Sequence, residues 1–423
     1  MKFIHAADIH LDSPLRGLPD YEGAPTEEVR SATRFAFRNL IDLAIEEIVD
    51  FIIISGDLYD GDWRDFNTGL FFVAEMARLK KANIPVYLVL GNHDAESRIT
   101  KSLTLPDNVY QFSSRKVETK IIADLKVALH GQSFSSADTK ENLAAHYPLA
   151  NVDCFNIGIL HTAAEGRDGH APYAPCSVSE LVSKGYDYWA LGHVHKREVL
   201  YENPFVVFPG NLQGRHARET ASEGKGCTVV TVDESGNVEL LHRDVDTVRW
   251  TQVEINLSGV PDFGGLIERV RKALEKAYGA ADGRLLAARL IFTGDTKIHG
   301  RLLSDRENLL AEIRGAGLEV ATGDIWIEKA VIQTRPEVSL DQLAERKDVL
   351  GEVSKELQAL SNDAEFRSAL VNSFDDLFSK LPSDLTIDAA VEDGLRRDED
   401  AISELLDLAN NMVLTKLSQV GTE

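Results

Sequence analysis

Five short apolar segments of this chain each run straight into a cluster of aspartate, asparagine or histidine, and that repeated juxtaposition limits the folds open to it. The segments are Phe3–Ala7, Phe51–Ser55, Val86–Leu90, Phe155–Leu160 and Tyr188–Leu191. The clusters that follow them are Asp8-Ile9-His10, Gly56-Asp57-Leu58-Tyr59-Asp60, Gly91-Asn92-His93-Asp94, His161 and Gly192-His193-Val194-His195. Short runs rich in β-branched residues and closed by turn-forming residues read as strands. Nearly continuous apolar runs such as Phe51-Ile52-Ile53-Ile54 suit strands covered on both faces. Between the first three, Glu27–Val49 and Phe66–Lys81 carry helical periodicity. The alternation is α/β, and in open α/β sheets ligands gather beyond the carboxyl ends of strands. The clusters are therefore expected to meet at one site.

Further strands are expected at Phe205–Phe208, Cys227–Val232 and Val238–His242, the last two joined by a Ser235-Gly236-Asn237 turn. From Trp250 a second alternation begins, with strands at Val253–Leu257, Leu285–Phe292 and Ile325–Ile332 and helices at Phe263–Tyr278 and Arg306–Ala316. After Arg335-Pro336 only helical spacing remains, as at Leu350, Val353, Leu357 and Leu360. A chain of 423 residues exceeds one ordinary core, and the division expected is 1–245, 246–335 and 336–423. Trp250 and Trp326 read as packing residues of the middle segment.

The chemistry of the clusters points to metal. Carboxylate oxygen, imidazole nitrogen and amide oxygen together suit borderline-hard divalent ions such as Mn²⁺, and no cluster contains cysteine. In D-x-H the side chains lie two residues apart and would point the same way on extended chain, a geometry that His193 and His195 repeat. A carboxylate such as Asp57 can bridge two ions, and an ion pair ~3.5–4 Å apart can hold a phosphate and stabilise a leaving oxygen. Cys154, Cys176 and Cys227 form no CxxC pair, which argues against a disulfide framework or zinc ribbon and for a reducing cytoplasm. With 43% hydrophobic residues, a mean hydropathy of -0.17 and no apolar run near the ~20 residues of a membrane span, the chain is expected to be soluble. The opening residues lack a leader pattern, so export is not expected. The net charge of -23 opposes indiscriminate adhesion to nucleic acid, although roughly half of the excess acid lies beyond Pro336.

In order, D-x-H, GD-x-x-D, GNHD, a lone His and GH-x-H resemble the signature of the calcineurin-like metallophosphoesterases, which implies a β-sandwich flanked by helices. The resemblance implies two divalent ions, expected to be Mn²⁺. One would be held by Asp8, His10, Asp57 and His195, the other by Asp57, Asn92, His161 and His193. It implies that His93 is not a ligand but contacts the phosphate and protonates the leaving oxygen, a task suited to imidazole. Asp94, beside it, is expected to orient the ring. The opening Phe3–Leu15 and the stretch Pro209-Gly210-Asn211-Leu212-Gln213-Gly214-Arg215-His216 resemble the SbcD-like DNA-repair nucleases, most closely the bacterial YhaO type. That implies an exonuclease or endonuclease acting on DNA, an α/β capping domain in the middle segment, and a helical tail docking an SbcC-type ATPase. A homodimer is open. Archaeal and eukaryotic relatives carry a His three residues after the bridging Asp where this chain has Asp60, so no phosphate-positioning role is carried over.

Bland readings stand beside these. His130, His146, His170, His242 and His299 lack ligand-type neighbours and read as structural, and His5 reads as a core residue or a support for the site. Arg215 and His216 are either substrate contacts or part of a structural turn. Phe366, Leu370, Phe374, Leu377 and Leu381 form one apolar stripe, and Leu405, Ala409, Met412 and Val413 another; both pack either on this chain or on a partner. The rival functions are a small-molecule phosphodiesterase or phosphatase, and a scaffold subunit that regulates the ATPase.

Overall fold

The computed structural model describes residues 1–13, 24–60, 66–96, 104–165, 173–220, 224–338, 340–380, 402–403, 405–407, 409–410 and 413. Along the chain run β1 (Lys2–Ala6), α1 (Thr26–Glu46), β2 (Phe51–Ser55), α2 (Phe66–Lys81), β3 (Val86–Val89), α3 (Asn92–Glu96), β4 (Val109–Gln111), β5 (Glu118–Ile122), β6 (Val127–Gly131) and β7 (Phe155–His161). There follow α4 (Val178–Ser183), β8 (Tyr188–Gly192), β9 (Glu198–Glu202), β10 (Phe205–Phe208), β11 (Gly226–Val232) and β12 (Val238–Asp244). Among the described residues these strands form two six-stranded sheets, ordered β12-β11-β1-β2-β3-β4 and β5-β6-β7-β8-β10-β9. β1 to β4 are mutually parallel, as are β6, β7, β8 and β10, and antiparallel strands complete the rims. The fold is the expected mixed α/β sandwich flanked by helices.

Strand alternation explains why β2 is apolar throughout. Phe51 and Ile53, with Phe3, Tyr87 and Val89, meet Val127, Leu129, Ile157, Ile159 and Tyr188 of the second sheet. Ile52 and Ile54 turn the other way onto Phe37, Leu40, Phe72 and Met76 of α1 and α2. The outer face of the second sheet presents Trp189, Leu191 and Phe208 to Phe134, Tyr147, Leu181 and Tyr186. Each such side chain taken fully from water contributes about 1.5–3 kcal/mol.

The later chain continues through β13 (Val248–Asn256), α5 (Phe263–Ala281), β14 (Leu285–Thr293), β15 (Asp295–Thr296), α6 (His299–Ser304), α7 (Arg306–Val320), β16 (Ile325–Ile332) and β17 (Arg335–Pro336). Helices α8 (Leu340–Ala344), α9 (Val349–Asn362) and α10 (Ala364–Lys380) follow. By contacts the chain forms two compact units, 1–252 with 277–289 and 323–328, and 253–276 with 290–322 and 329–423. Trp250 and Trp326, expected in the middle segment's own packing, belong to the first unit. They meet edge-to-face at 5.6 Å beside Val29, Ala32, Ala217, Val248 and Ala287. Nearby, the Gln213 side chain accepts from Thr247 N (2.9 Å) and Val248 N (3.2 Å) and donates to Val248 O (2.7 Å).

In the second unit, Ile402 and Leu406 are buried, Arg367 Nη2 donates to Ser403 Oγ (2.9 Å) and Asn410 Nδ2 to Ser361 Oγ (2.8 Å). Leu360, Phe366 and Val413 stay exposed. Of the two expected stripes, Leu381 and Met412 lie outside the described residues, as does the Leu377 side chain. Cys154, Cys176 and Cys227 are unbridged. Among the described residues, no helix is long and apolar enough to cross a membrane.

Helix α1 ends in a Schellman motif, with Val49 N bonded to Ala44 O (3.2 Å) and Ile48 N to Ile45 O (3.3 Å). The motif puts Ile48 at φ 51, a region that crowds a β-branched side chain, while its side chain is 82% exposed and packs on little. Ile48→Gly is expected to stabilise the protein by about 1 kcal/mol, read as a higher thermal midpoint with metal binding unchanged.

Candidate metal centre

The loops after β1 and β2 run side by side, tied by Asp8 N to Gly56 O, His10 N to Asp57 O and Leu11 N to Leu58 O, each at 3.0 Å. Both D-x-H residues lie past the end of β1 at left-handed φ, 51 for Asp8 and 46 for His10, so the alternation of extended chain does not aim them. Asp57 (φ 52) and His193 (φ 107) are in the same region. Each such residue costs of order 1–3 kcal/mol, sustained here by the bonds around it. Packing between the loops is tight enough that a Cβ on Gly91 would overlap the Asp57 carboxylate, and one on Gly192 the Ser55 carbonyl.

Three overlapping groups gather their donor atoms within 4.8 Å of one another: Asp8, His10 and His195; Asp8, Asp57 and His161; and His10, Asp60 and His93. His10 Nε2 faces His195 Nε2 at 3.2 Å and Asp57 Oδ2 at 3.9 Å. His161 Nδ1 donates to Ser55 O (2.9 Å), which turns the Nε2 lone pair toward Asn92 Oδ1 (3.0 Å) and Asp57 Oδ2 (3.4 Å). His193 donates its N–H to the Asp8 carboxylate (3.0 and 3.1 Å), and its ring lies against that of His161 at 5.2 Å. Asp8, His10, Asp57, Asn92, His161 and His195 are thus brought together, and the His193 ring lies beside them.

Buried lone pairs aimed at one another are unfavourable unless a cation lies between them. Burial pushes Asp57 up to about 6 and Asp8 well above the carboxylate range, and burial holds His161 down to about 3. Left alone, the pocket resists charge on Asp8, Asp57, His10 and His161; divalent cations reverse that balance. A donor set of oxygen and imidazole nitrogen fits two such ions; Asp8 is shared by two of the groups, and Asp57 Oδ2 faces both His10 and His161.

His93 lies at the rim, with its ring edge-on to His10 at 4.9 Å. Its Nδ1 meets Asp60 Oδ1 at 2.8 Å, and that hydrogen bond raises His93 to about 9. Burial alone would raise Asp60, but His10 Nδ1 at 3.6 Å and hydrogen bonds with His93 and Ser13 hold it well below the carboxylate range. The expectation that Asp94 orients the His93 ring is therefore corrected. Consecutive residues of a helix point about 100° apart, and the Asp94 carboxylate turns inward to accept Tyr59 N (2.9 Å), Gly91 N (3.0 Å) and Leu58 N (3.2 Å). It staples two ligand loops together, while Asp60, left unassigned by the sequence, holds the ring.

Sequence reasoning also missed Glu219, whose Oε1 accepts from His195 Nδ1 at 2.6 Å. Of the two residues left open, Arg215 enters the site, reaching Ser13 Oγ (3.3 Å), Glu219 Oε1 (3.4 Å) and Asp60 Oδ2 (3.5 Å), while His216 stays exposed. His5 is a core histidine that also braces the strand ends: burial lowers it to about 3, and it bonds Tyr188 Oη and Leu191 O, each at 3.0 Å. His130, His242 and His299 hold structural hydrogen bonds to Thr119 and Asn156, to Gly224 O and to Thr334. His170 lies outside the described residues.

This division of labour is testable. His93→Gln and Asp60→Asn should leave metal stoichiometry intact and lower turnover, by about 10²–10⁴-fold for His93→Gln. Asp94→Ala, which strands buried N–H donors costing about 1–3 kcal/mol each, should instead lower the thermal midpoint. Loss of a metal ion in His93→Gln, measured by calorimetry, would contradict the assignment.

Residues 1–197 match the family described as Calcineurin-like phosphoesterase, and residues 250–335 match Metallophosphoesterase YhaO, middle domain. The chain is 35% identical over 298 residues to the "Uncharacterized metallophosphoesterase YhaO" of Bacillus subtilis (strain 168), covering 70% of this chain and 72% of that protein. It is 27% identical over 298 residues to the "DNA double-strand break repair protein Mre11" of Sulfurisphaera tokodaii, covering 65% and 69%. The protein of the same description from Sulfolobus acidocaldarius is 27% identical over 292 residues, covering 65% and 69%. Similarity that spans both the ligand loops and the middle segment, over a site built as the loops require, shows that the chain belongs to the calcineurin-like metallophosphoesterases, in the SbcD- and Mre11-like group that includes YhaO.

Proposed function

We propose that this metallophosphoesterase is a phosphodiesterase acting on DNA in repair, as an exonuclease or endonuclease, and the cytoplasmic nuclease subunit of a complex with an SbcC-type ATPase. The observation that carries the hydrolytic reading is the meeting of buried His10 and His161 Nε2 with Asp57, with His195 Nε2 facing His10 Nε2. The DNA reading is supported by likeness to the Mre11 proteins over 298 residues, a span longer than the 1–197 catalytic match. Asp8, His10, Asp57 and His195 would hold one ion and Asp57, Asn92, His161 and His193 the other, with Mn²⁺ as the expected species. When bound, such a pair clamps phosphate oxygens and lowers the pKa of water.

The chain's own residues do the rest. Asp60 pins His93 Nδ1, so Nε2–H is the donor offered to the departing deoxyribose oxygen, and the Asp60 carboxylate favours the protonated ring. Segments 1–245, 246–335 and 336–423 are assigned to catalysis, to a cap that shapes the DNA cleft and to the ATPase. The exposed Leu360 and Phe366 supply the apolar anchors of a helix-in-groove contact.

With Mn²⁺, the purified protein is expected to cleave linear duplex or single-stranded DNA, and Asp57→Asn to reduce that activity to background. Cleavage of bis-p-nitrophenyl phosphate without any cleavage of DNA, with or without the ATPase, would replace the nuclease with a small-molecule phosphodiesterase. Intact metal binding with no hydrolysis of either would leave a scaffold subunit. The double substitution Leu360→Glu, Phe366→Glu should abolish co-elution with the ATPase in size exclusion and leave diester cleavage unchanged; retained co-elution would place the docking surface elsewhere.

A further inference from the structure

We propose that Glu219 fixes the tautomer of His195, and so makes His195 Nε2 the lone pair that faces the first metal position; the inference rests on the dinuclear reading above. The Glu219 side chain is 8% exposed, and both of its oxygens are engaged. Oε1 accepts from His195 Nδ1 at 2.6 Å, with Arg215 Nη2 at 3.4 Å. Oε2 accepts from Arg215 N at 2.8 Å and Asn211 Nδ2 at 3.1 Å. An ionised carboxylate only accepts, so the hydrogen at this bond must sit on Nδ1 and the lone pair on Nε2. That Nε2 lies 3.2 Å from His10 Nε2, in the group completed by Asp8. The backbone of His195 is held as well, since Lys225 Nζ donates to its carbonyl at 2.7 Å and Asn211 N at 3.3 Å. Such outer carboxylates orient metal-binding imidazoles and raise their basicity.

The competing explanation is that Glu219 only anchors the 211–219 loop through Arg215 N and Asn211 Nδ2. Glu219→Gln separates the two. An amide has a single oxygen, and the two loop donors claim it. Its NH₂ group must then face His195 Nδ1, which can only accept, so the ring proton moves to Nε2, the metal side. The reverse orientation would set the NH₂ group against Arg215 N and Asn211 Nδ2, at 2.8 and 3.1 Å, whereas this one sets it against the longer Arg215 Nη2 contact at 3.4 Å alone. The substitution therefore keeps the loop and inverts the tautomer, as an amide does when it replaces the buried carboxylate behind a catalytic histidine.

Metal-free full-length protein is titrated with Mn²⁺, following heat by calorimetry and free ion by electron paramagnetic resonance. Wild type is expected to take two ions. Glu219→Gln should take one at wild-type affinity and the other about 10- to 100-fold more weakly, with an unchanged thermal midpoint in the absence of metal. Glu219→Asp, which stays acceptor-only, should recover part of the loss. Uptake of both ions by Glu219→Gln at wild-type affinity overturns the inference. If that variant does not fold, ¹⁵N resonances of histidine in the wild-type metal-free chain decide: Nδ1-protonated His195 is expected, and an Nε2-protonated ring overturns it. A wild-type chain that takes up no metal sinks the dinuclear reading itself, whatever Glu219 does.

Discussion

Parallel strands at the centre of both sheets are the constraint from which the site follows. β1, β2 and β3 share a direction in one sheet, and β7 and β8 in the other, so each set delivers its loops to one edge. The edges are joined by hydrogen bonds that reach across the sandwich, from His161 Nδ1 to Ser55 O, from His5 to Leu191 O and from His193 N to the Asp8 carboxylate. Without that registry, ligands as far apart in sequence as Asp8 and His195 would have no reason to meet. The apolar interior between the sheets, from Phe3 and Phe51 to Ile157 and Tyr188, holds the registry.

The electrostatics of the pocket invert those of the whole chain. An overall charge of -23 and a pocket that opposes ionising Asp8 and Asp57 look contradictory, but they operate at different distances. Surface acid is screened within about 10 Å at ordinary salt, whereas Asp8 and Asp57 are almost wholly removed from water. Cations would make both carboxylates stable as anions, and binding would release protons. Arg215 is already in place beside Asp60 and Glu219, a fixed positive charge that the sequence placed only on an ambiguous loop.

Much of the architecture was legible because burial on two faces leaves a plain signature. Phe51-Ile52-Ile53-Ile54 has to be a covered strand, and the structure shows which cluster takes each side chain. The rim strands β5 and β9 were not read, because half of each is polar and solvated. Within the site, residue types were legible and directions were not. Left-handed backbone at Asp8 and His10 replaced the assumed extended chain, and Asp94, adjacent to His93 in sequence, turned inward and left the ring to Asp60. Glu219 has no fixed spacing from His195; only the path of the 211–219 loop brings the two together.

That loop has a further tie. Gln213, between Asn211 and Arg215, clasps the main chain at Thr247 and Val248, and one residue pair on, Trp250 closes over Val29, Ala32 and Ala217. The start of β13 therefore serves the metal site from behind. A chain ended at residue 245 would keep every candidate ligand yet lose the clasp on the loop that carries Glu219, and it would uncover Val29 and Ala32 of α1. The main chain that ties down the Glu219 loop thus lies beyond the stretch that supplies the candidate ligands.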